Sequence, residues 1–440
     1  MESAGDQSAT TTGALQLGVF PSASTGDGGI FQYSLSLLDG LVPLIEAGAI
    51  AHPLLFHPRQ SDLPLEELRQ AGFRTVEFPF RSRRDRVLDP LRRLAGDGPA
   101  RRAWRRLRLR EAAAPPPGEA SIRRRPELAR ALRELGIDLM IYPFPNGLAF
   151  EIGVPYVMTI HDMQHRLQPR FPEVSADGEW EWREYVFRNG AREATLLLVD
   201  SETSRDDVVD AYGENGVTVE AIEVLPVMPA PYLEAGATAT DRQRVREGYR
   251  LPPRYFFYPA QFWPHKNHLA IIEAVALLRD TGEDVDVVLA GTWSGSVREE
   301  THGNMVERAQ ELGIAGRIHV LGYVPNKDLP ALLAESVALV MPTFFGPTNI
   351  PPLEAWLLDV PVITSDLRGI REHMGDAAVL VDPTNPGALA DGMRRIWTDA
   401  ELRASLVERA RVRRTIYTTE AHRERVARIV ESARRRLQQA

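Results

Sequence analysis

The sequence predicts an α/β fold made of two doubly wound, Rossmann-like domains. Two observations lead to this prediction. Short apolar runs alternate with segments of helical periodicity along the chain, as in parallel sheets with crossover helices. The length of 440 residues is too large for one ordinary core, which favours two domains.

Twelve short apolar runs are predicted as the strands of these sheets. The stretch 228–252 carries breakers and no strand pattern, so we place a first domain at 1–228, a linker at 229–252 and a second domain at 253–415. The predicted strands are 14–20, 51–57, 74–80, 137–142, 154–160, 195–200, 254–259, 284–290, 317–322, 337–341, 360–365 and 377–381.

The composition, with 44% hydrophobic and 25% charged residues, is that of a globular enzyme. The sequence contains no cysteine, which excludes disulfides and thiolate chemistry and fits a reducing compartment. Residues 1–13 lack the basic and apolar regions of a signal peptide, and no apolar run approaches the ~20 residues that span a bilayer. We therefore expect a cytoplasmic protein that is soluble or peripheral at the inner face of the membrane.

An arginine-rich stretch interrupts the first domain. Residues 81–130 contain 16 arginines and 6 acidic residues, and the irregular part, 81–125, is predicted to be an insertion or a mobile arm. A second interpretation is that residues 81–110, with 12 arginines and interleaved apolar side chains, contact an anionic membrane surface. No recognised nucleic-acid-binding fold accompanies the stretch, so we expect no nucleic-acid partner.

Gly28 and Gly29 lie in a turn between the first predicted strand and a predicted helix at 30–44. Parallel sheets bind ligands at the carboxyl ends of their strands, and glycines there let a ligand approach the backbone. The helix that follows presents free amides to an anion. A purely structural turn is the alternative interpretation of this motif.

Lys266 lies in the turn after strand 254–259, just before a predicted helix. In this position an ammonium can pair with phosphate oxygens, whereas the alternative is a solvated surface lysine. The chain has 50 arginines and only two lysines, and GC-rich codon usage alone would explain that excess. However, the neighbouring Phe262, Trp263 and Pro264 favour a shaped pocket around Lys266.

Glu354 follows strand 337–341, in the first turn of a helix that Pro351 and Pro352 are predicted to open. Its carboxylate can accept two hydrogen bonds from adjacent hydroxyls of a ribose. Alternatively, it only complements the helix dipole.

These three turns and the segments between them resemble the family 4 retaining glycosyltransferases. The similarity is strongest over 254–384, in YPAQFWPHKNHLAIIEA, VLAG, LGYVPNKDLPALLAES and MPTFFGPTNIPPLEAWLLDVPVITSD. It continues more loosely through GDGGIFQYS, VPYVMTIHD and LLLVDSETSRDDV. The resemblance implies a GT-B fold, in which two doubly wound domains face each other across a cleft, and a C-terminal helix (416–440) that crosses back to the first domain.

The resemblance also implies roles for ten residues in binding a nucleotide sugar without a metal or other cofactor. Lys266 matches the phosphate-binding lysine, Glu354 the ribose-binding glutamate, and His161 a histidine near the donor sugar; an interior histidine at a strand end is the alternative for His161. The remaining positions are expected at the donor: the diphosphate loop at Gly28 and Gly29, backbone amides of Thr348, Asn349 and Ile350, Gln261 beside the diphosphate, and Glu372 in a later turn.

Two positions depart from the family pattern. Gln261 replaces the usual arginine five residues before the lysine, which removes a positive charge from the diphosphate site. Gly346 replaces the first of two glutamates, so a carboxylate that binds the donor sugar is missing. The compact sequence from Gly346 to Glu354 resembles a variant form of the motif.

The expected function is retaining transfer of a hexosyl-type sugar from a nucleotide-diphosphate donor to a glycan, lipid-linked or small-molecule acceptor, as in polysaccharide biosynthesis. Two alternatives have the same fold: a GT-B nucleotide-sugar epimerase and a catalytically silent nucleotide-sugar binder. The sequence leaves open the sugar, the base, the acceptor and the linkage.

Overall fold

The computed structural model describes residues 14–78, 122–233 and 236–439, which form two parallel sheets with helices around them. The first sheet has the order β3-β2-β1-β4-β5-β6-β7. Its strands are β1 Leu17–Val19, β2 Leu54–His57, β3 Arg74–Glu77, β4 Leu139–Tyr142, β5 Tyr156–Thr159, β6 Leu196–Val199 and β7 Ile222–Val224. The helices of this half are α1 Gly29–Glu46, α2 Leu65–Gln70, α3 Pro126–Glu134, α4 Leu148–Glu151, α5 Gln164–Leu167, α6 Pro172–Ser175, α7 Glu179–Glu193 and α8 Glu202–Tyr212.

The second sheet has the order β10-β9-β8-β11-β12-β13. Its strands are β8 Phe256–Pro259, β9 Val287–Ala290, β10 Ile318–Gly322, β11 Ala338–Met341, β12 Val362–Ser365 and β13 Val379–Val381. The helices of this half are α9 Ala239–Gly248, α10 His268–Asp280, α11 Ser296–Glu311, α12 Leu329–Ala334, α13 Ile350–Leu357, α14 Arg368–Met374, α15 Pro386–Thr398, α16 Ala400–Arg413 and α17 Thr419–Gln439.

Both sheets reverse their strand order next to their first strand. In the second sheet, β8 pairs in parallel with β9 on one side and with β11 on the other. Strands β9, β11 and β12 are buried along their whole length, as expected where helices cover both faces of a parallel sheet. In such sheets the carboxyl ends beside the reversal form a crevice that binds ligands. The turns after β8 and β11 are therefore the first place to look for a site.

The predicted α/β class with two Rossmann-like sheets is confirmed. Each of the twelve predicted strands contains an observed strand, although most observed strands begin two or three residues later. The prediction missed β7, which has only three residues, and its burial is complete at Ile222 alone. Such a short, half-buried edge strand lacks the continuous apolar run by which the other strands are recognised.

The chain divides into two compact units. The first unit contains residues 1–159, 185–198 and 423–440, and the second contains 160–184 and 199–422. In this division, residues 160–184 and 199–228 belong to the second unit, and the domain boundary at 228 stays a prediction. The predicted linker at 229–252 contains α9, which begins with a capping box between Thr238 and Asp241.

Most of the arginine-rich stretch lies outside the described residues. The predicted membrane contact at 81–110 lies wholly outside the described residues. Of the predicted insertion at 81–125, only residues 122–125 are described. There, Arg125 contacts Glu151 at 2.6 Å. Within the described ranges, no helix has the length and apolar character needed to cross a membrane.

The last helix packs against α1 within the first unit. Arg423 of α17 donates two hydrogen bonds to the carboxylate of Asp39, at 2.9 and 3.0 Å. One turn further along α17, Val426 lies against Gly40 of α1. A β-carbon added at Gly40 would lie 2.5 Å from Cγ2 and 2.9 Å from Cβ of that valine. Glycine at position 40 therefore sets the distance between the two helices.

We expect Gly40→Ala to destabilise the protein by about 1–3 kcal/mol, because the added methyl group overpacks this contact. Gly303 of α11 is the matched control, since it is also helical but an added β-carbon meets nothing within 4 Å. Gly303→Ala should be neutral or stabilising by about 0.5–1 kcal/mol. Thermal and urea denaturation of both variants measure this difference, and equal stabilities would contradict the packing argument.

Candidate functional site

Lys266 lies in a tight turn between β8 and α10, at the carboxyl edge of the second sheet. The next residue, Asn267, has the left-handed conformation (φ 58°, ψ 42°), in which asparagine is one of the few non-glycine residues found regularly. Its side-chain amide donates to the carbonyl oxygens of Pro342 at 2.9 Å and Pro383 at 2.8 Å. These two carbonyls follow β11 and β13, so Asn267 ties the Lys266 turn to two other turns at the same edge.

His265, on the other side of Lys266, attaches the turn to the loop of residues 343–349. Its carbonyl oxygen accepts hydrogen bonds from the backbone N–H of Phe344 at 2.8 Å and from the hydroxyl of Thr343 at 3.2 Å. Its imidazole stacks on the ring of Phe345, with 4.0 Å between centroids and 5° between planes. The backbone on both sides of Lys266 is therefore held by neighbouring turns.

Glu173 holds the imidazole of His265 from α6. One carboxylate oxygen accepts the backbone N–H of His265 at 3.1 Å and lies 2.6 Å from Nδ1. Burial lowers the pKa of His265 to about 4. Burial acts to raise the pKa of Glu173, but its hydrogen bonds with His265 outweigh this effect and hold the pKa below its usual range. Near neutral pH, a neutral imidazole therefore donates its Nδ1 hydrogen to a carboxylate.

The electrostatic environment of Lys266 differs from that of a surface lysine. Burial lowers its pKa to about 8, and the negative charge of Glu173 opposes this shift. Among the described residues, no carboxylate oxygen forms an ion pair with its ammonium. Lys266 thus remains mainly protonated near neutral pH, in surroundings where an anion would interact with it more strongly than in water.

Two glutamine side chains from α5 and its C-terminal end fix the 343–349 loop. Gln164 donates to the carbonyl oxygen of Gly346 at 2.9 Å, and Gln168 donates to that of Phe344 at 2.6 Å. Inside the loop, the amide of Asn349 donates to the carbonyl oxygen of Phe345 at 3.1 Å. Asn349 therefore uses its amide to shape the loop.

Gly346 does not need to be glycine for conformational reasons. Its φ lies outside the left-handed region, and an added β-carbon would make ordinary contacts with Ile370 at 3.6 Å and Leu367 at 3.9 Å. A longer side chain at this position would begin among these apolar groups.

Helix α13 follows the loop and begins at Ile350. Pro351 and Pro352 in its first turn lack N–H groups, so the backbone donors at this helix end come from Ile350 and the residues before it. A hydrogen-bond acceptor could thus meet backbone N–H groups at three positions: Thr348, Asn349 and Ile350.

Glu354 lies one turn into α13 and is half-buried. Burial raises the pKa of its carboxyl group to about 7, against the opposing effect of the backbone N–H of Ala230. Burial and the nearby Glu354 charge also raise the pKa of Tyr232. The fold thus holds Glu354 in a place where ionisation is costly, which is unusual for a residue with only a surface role.

His161 is held by Asp200, a residue that the sequence analysis did not single out. Nδ1 of His161 lies 3.2 Å from both carboxylate oxygens of Asp200, and the Thr348 hydroxyl donates to the same carboxylate at 3.2 Å. Asp200 is 2% exposed. Such a carboxylate fixes the orientation of the imidazole and selects the tautomer that carries hydrogen on Nδ1. It also joins His161 to the start of α13.

Glu372 caps a helix. Its two carboxylate oxygens accept the backbone N–H groups of Glu202 and Thr203, each at 2.9 Å, at the first turn of α8. Burial acts to raise the pKa of Glu372, but these two donors outweigh it and hold the pKa below its usual range. The contacts present in the structure therefore support α8 and leave a role at the donor as a prediction.

Gln261 also lies in the turn after β8. Its side-chain oxygen accepts hydrogen bonds from the indole N–H of Trp263 at 3.0 Å and from a guanidinium N–H of Arg298 at 2.8 Å. In the sequence, Gln261 is recognisable as a missing charge but Arg298 is not, because 37 residues separate the two positions.

Gly28 and Gly29 belong to the first unit, where they begin α1 after β1. Gly28 has φ of 58°, and an added β-carbon would meet nothing within 4 Å, so its conformation rather than crowding favours glycine. The preceding turn is held by Asp62, which accepts the N–H and the hydroxyl of Thr25, both at 2.8 Å. The structure brings the other eight predicted positions into the second unit.

We expect Glu354→Gln to alter how stability depends on pH. An unfolded glutamate titrates near ~4.3, whereas burial raises the pKa of Glu354 to about 7. The stability gained from the protonated form is therefore fully present below about pH 4 and is lost as the pH rises through about 7. Glutamine retains the neutral form, so the variant should be more stable than wild type at pH 8 by on the order of 1–2 kcal/mol.

Urea denaturation at pH 4, 6 and 8 measures this effect. The difference between variant and wild type should be absent at pH 4 and complete at pH 8. Glu307→Gln, at an exposed position of α11, is the control and should show no such trend. A Glu354→Gln variant that loses stability equally at every pH would show that the burial argument is wrong.

Two family models match adjacent parts of the chain. The model described as Glycosyltransferase Family 4 matches residues 65–226, and that described as Glycosyl transferases group 1 matches residues 240–413. The alpha-D-kanosaminyltransferase of Streptomyces kanamyceticus is 24% identical over 273 residues, which are 61% of this chain and 67% of that relative. The D-inositol 3-phosphate glycosyltransferase of Salinispora tropica is 29% identical over 59% of this chain and 55% of its own length. The matched region thus spans between about half and two thirds of these relatives.

The fold is also found in solved structures. HepE from Anabaena, in a crystal structure with UDP-glucose, superposes with a TM-score of 0.66 and 17% identity over 95% of this chain and 100% of HepE. This likeness identifies the fold as GT-B. The family predicted from the motifs is confirmed: the chain belongs to the group 1 glycosyltransferases of family 4.

Proposed function

We propose that this protein transfers a hexosyl-type sugar from a nucleotide-diphosphate donor to a glycan, lipid-linked or small-molecule acceptor, with retention of anomeric configuration. The observation that carries the proposal is the Lys266 turn. It presents a half-buried ammonium at the carboxyl edge of the second sheet, and Asn267 and His265 fix the backbone around it. A fixed positive charge in such surroundings suits a reaction in which a diphosphate leaves the anomeric carbon.

In this proposal, Lys266 and backbone N–H groups stabilise the negative charge that develops on the leaving diphosphate. The donors are those of Thr348, Asn349 and Ile350, which precede the two prolines of α13. Because these donors are fixed by the 343–349 loop, they need little reorganisation during the reaction. No metal or other cofactor has a part in this step.

Glu354 is proposed to bind the ribose of the donor. Two adjacent ribose hydroxyls would donate hydrogen bonds that the half-buried carboxylate does not receive from water. These hydrogen bonds would favour its ionised form. His161, oriented by Asp200, is proposed to lie beside the donor sugar. Retention rests on the family resemblance alone. The nucleotide-sugar donor rests on that resemblance and on HepE, which was crystallised with UDP-glucose. The proposed location is cytoplasmic.

The acceptor is the least constrained part of the proposal. One relative reported above is named for transfer to D-inositol 3-phosphate and the other for transfer of a kanosaminyl group, so the two names do not define one common acceptor. Acceptor panels should therefore contain small polyols and sugars as well as lipid-linked glycans.

We expect Lys266→Ala to reduce turnover at saturating donor by about 100-fold or more, because the leaving diphosphate loses its closest fixed charge. Lys327→Ala is the matched control. It removes the chain's other lysine, which is exposed in the turn before α12, and should keep wild-type turnover. The assay measures nucleotide released from a panel of UDP- and GDP-sugars, with and without acceptors.

The same assay separates the alternatives. Near-normal turnover of Lys266→Ala would contradict the proposed site. A wild-type protein that converts the donor sugar to its epimer would be an epimerase, and one that binds nucleotides without turnover would be a silent binder.

A second prediction concerns the 343–349 loop, which we propose reads the donor sugar through backbone amides and Asn349. Gly346→Glu should lower turnover rather than raise it, because its side chain would start against Ile370 and Leu367 and would place a charge among apolar groups. Asn349→Ala should relax the loop and weaken discrimination among donor sugars by about tenfold, while nucleotide affinity changes little.

Turnover of both variants across the donor panel, together with UDP and GDP affinity, measures these effects. A large gain of activity from Gly346→Glu would contradict the idea that the loop is adapted to glycine. It would identify the natural protein as a degenerate transferase.

A further inference from the structure

The turns after β8 and β9 are packed together more closely than side chains normally allow. The strands pair in register, with Tyr258 opposite Leu289 and Pro259 opposite Ala290. The next residue of the second turn is Gly291, and a β-carbon there would overlap the carbonyl oxygen of Ala260. Glycine at position 291 thus allows the two turns to lie backbone against backbone.

This close approach brings Arg298 to the turn that contains Lys266. Arg298 lies in the first turn of α11, and its guanidinium donates to the side-chain oxygen of Gln261 at 2.8 Å. The same guanidinium lies 4.7 Å from the centroid of the Trp263 ring. The backbone carbonyl oxygen of Trp263 accepts the N–H of Lys266 at 2.9 Å. A second cation is therefore attached to the Lys266 turn by a hydrogen bond and a ring contact.

The chemistry of Gln261 fits a positioning role. Its side-chain oxygen receives both the Arg298 guanidinium and the Trp263 indole, so one neutral acceptor orients a cation and the ring beneath it. An arginine at position 261 would instead repel Arg298. A carboxylate there would pair with Arg298 and cancel its charge. A neutral acceptor holds the guanidinium in place without adding an opposite charge at position 261.

We propose that Arg298 supplies the second positive charge for the donor's diphosphate, and that Gln261 positions its guanidinium. The inference rests on the proposed transfer from a nucleotide-diphosphate donor. A dianionic diphosphate is only half neutralised by Lys266, and the planar fork of an arginine can donate two hydrogen bonds to phosphate oxygens. The charge that is absent at position 261 is thereby supplied from α11.

The test compares Arg298→Gln with the double variant Gln261→Arg/Arg298→Gln, in the full-length protein. Arg298→Gln should weaken UDP and GDP binding by about 10- to 100-fold. It should leave UMP and GMP binding within about twofold, because the role concerns the second phosphate. The double variant moves the arginine to position 261 and should recover most of the lost affinity for the diphosphates.

Arg308→Gln is the matched control on the same helix. Arg308 pairs with Glu273 at 2.6 Å, and its loss should leave nucleotide affinity unchanged. Melting temperatures of all variants show whether a loss of binding reflects unfolding. If Arg298→Gln lowers affinity for mono- and diphosphates equally, or if the double variant recovers nothing, Arg298 has only a structural role and the inference is wrong.

The experiment also separates this inference from the proposed function. If wild-type protein binds neither UDP nor GDP and releases neither from any donor, the proposed function fails and the inference fails with it. If wild type binds and turns over a donor while Arg298→Gln does so equally well, only the role of Arg298 is contradicted.

Discussion

The side-chain amide of Asn267 is the contact on which the candidate site depends. Its two hydrogen bonds join the turn after β8 to the chain segments that follow β11 and β13. They act together with the hydrogen bonds that the carbonyl oxygen of His265 accepts from Phe344 and Thr343. Because Asn267 immediately follows Lys266, the same interaction that closes this edge of the sheet also fixes the backbone from which the half-buried Lys266 side chain extends.

Several ionisable side chains of the second unit have surroundings that shift their pKa values. The negative charge of Glu173 acts on Lys266. The neutral imidazole of His265, the residue before Lys266, donates to the Glu173 carboxylate. Glu354 is held where burial raises its carboxyl pKa to about 7, so its ionisation responds to what binds there. A lysine with a lowered pKa and a glutamate with a raised pKa in one unit are features that cluster at functional sites.

The extent to which the sequence predicted this site depended on distance along the chain. Lys266 and Glu354 could be singled out because the first lies in a strand-to-helix turn and the second in the helix that directly follows one, each with its own local pattern. Asp200 and Glu173 were not, because their histidine partners lie 39 and 92 residues away and acidic residues are common in this chain. Glu372 was singled out from a local motif. The sequence did not reveal its observed hydrogen-bond partners, because they lie at the start of α8, about 170 residues away. The strands were predictable because burial on both faces leaves an uninterrupted apolar run, and the half-buried β7 lacks that signal.

The central claim is that the Asn267 contact positions Lys266 for a diphosphate, and Asn267→Gly tests it most directly. Glycine adopts the left-handed backbone readily, so this variant removes the two side-chain hydrogen bonds while it preserves the turn's conformation. Calorimetric titration with UDP and GDP should show about tenfold weaker binding than wild type, with the melting temperature lowered only slightly. Unchanged affinity for both nucleotides would contradict the account.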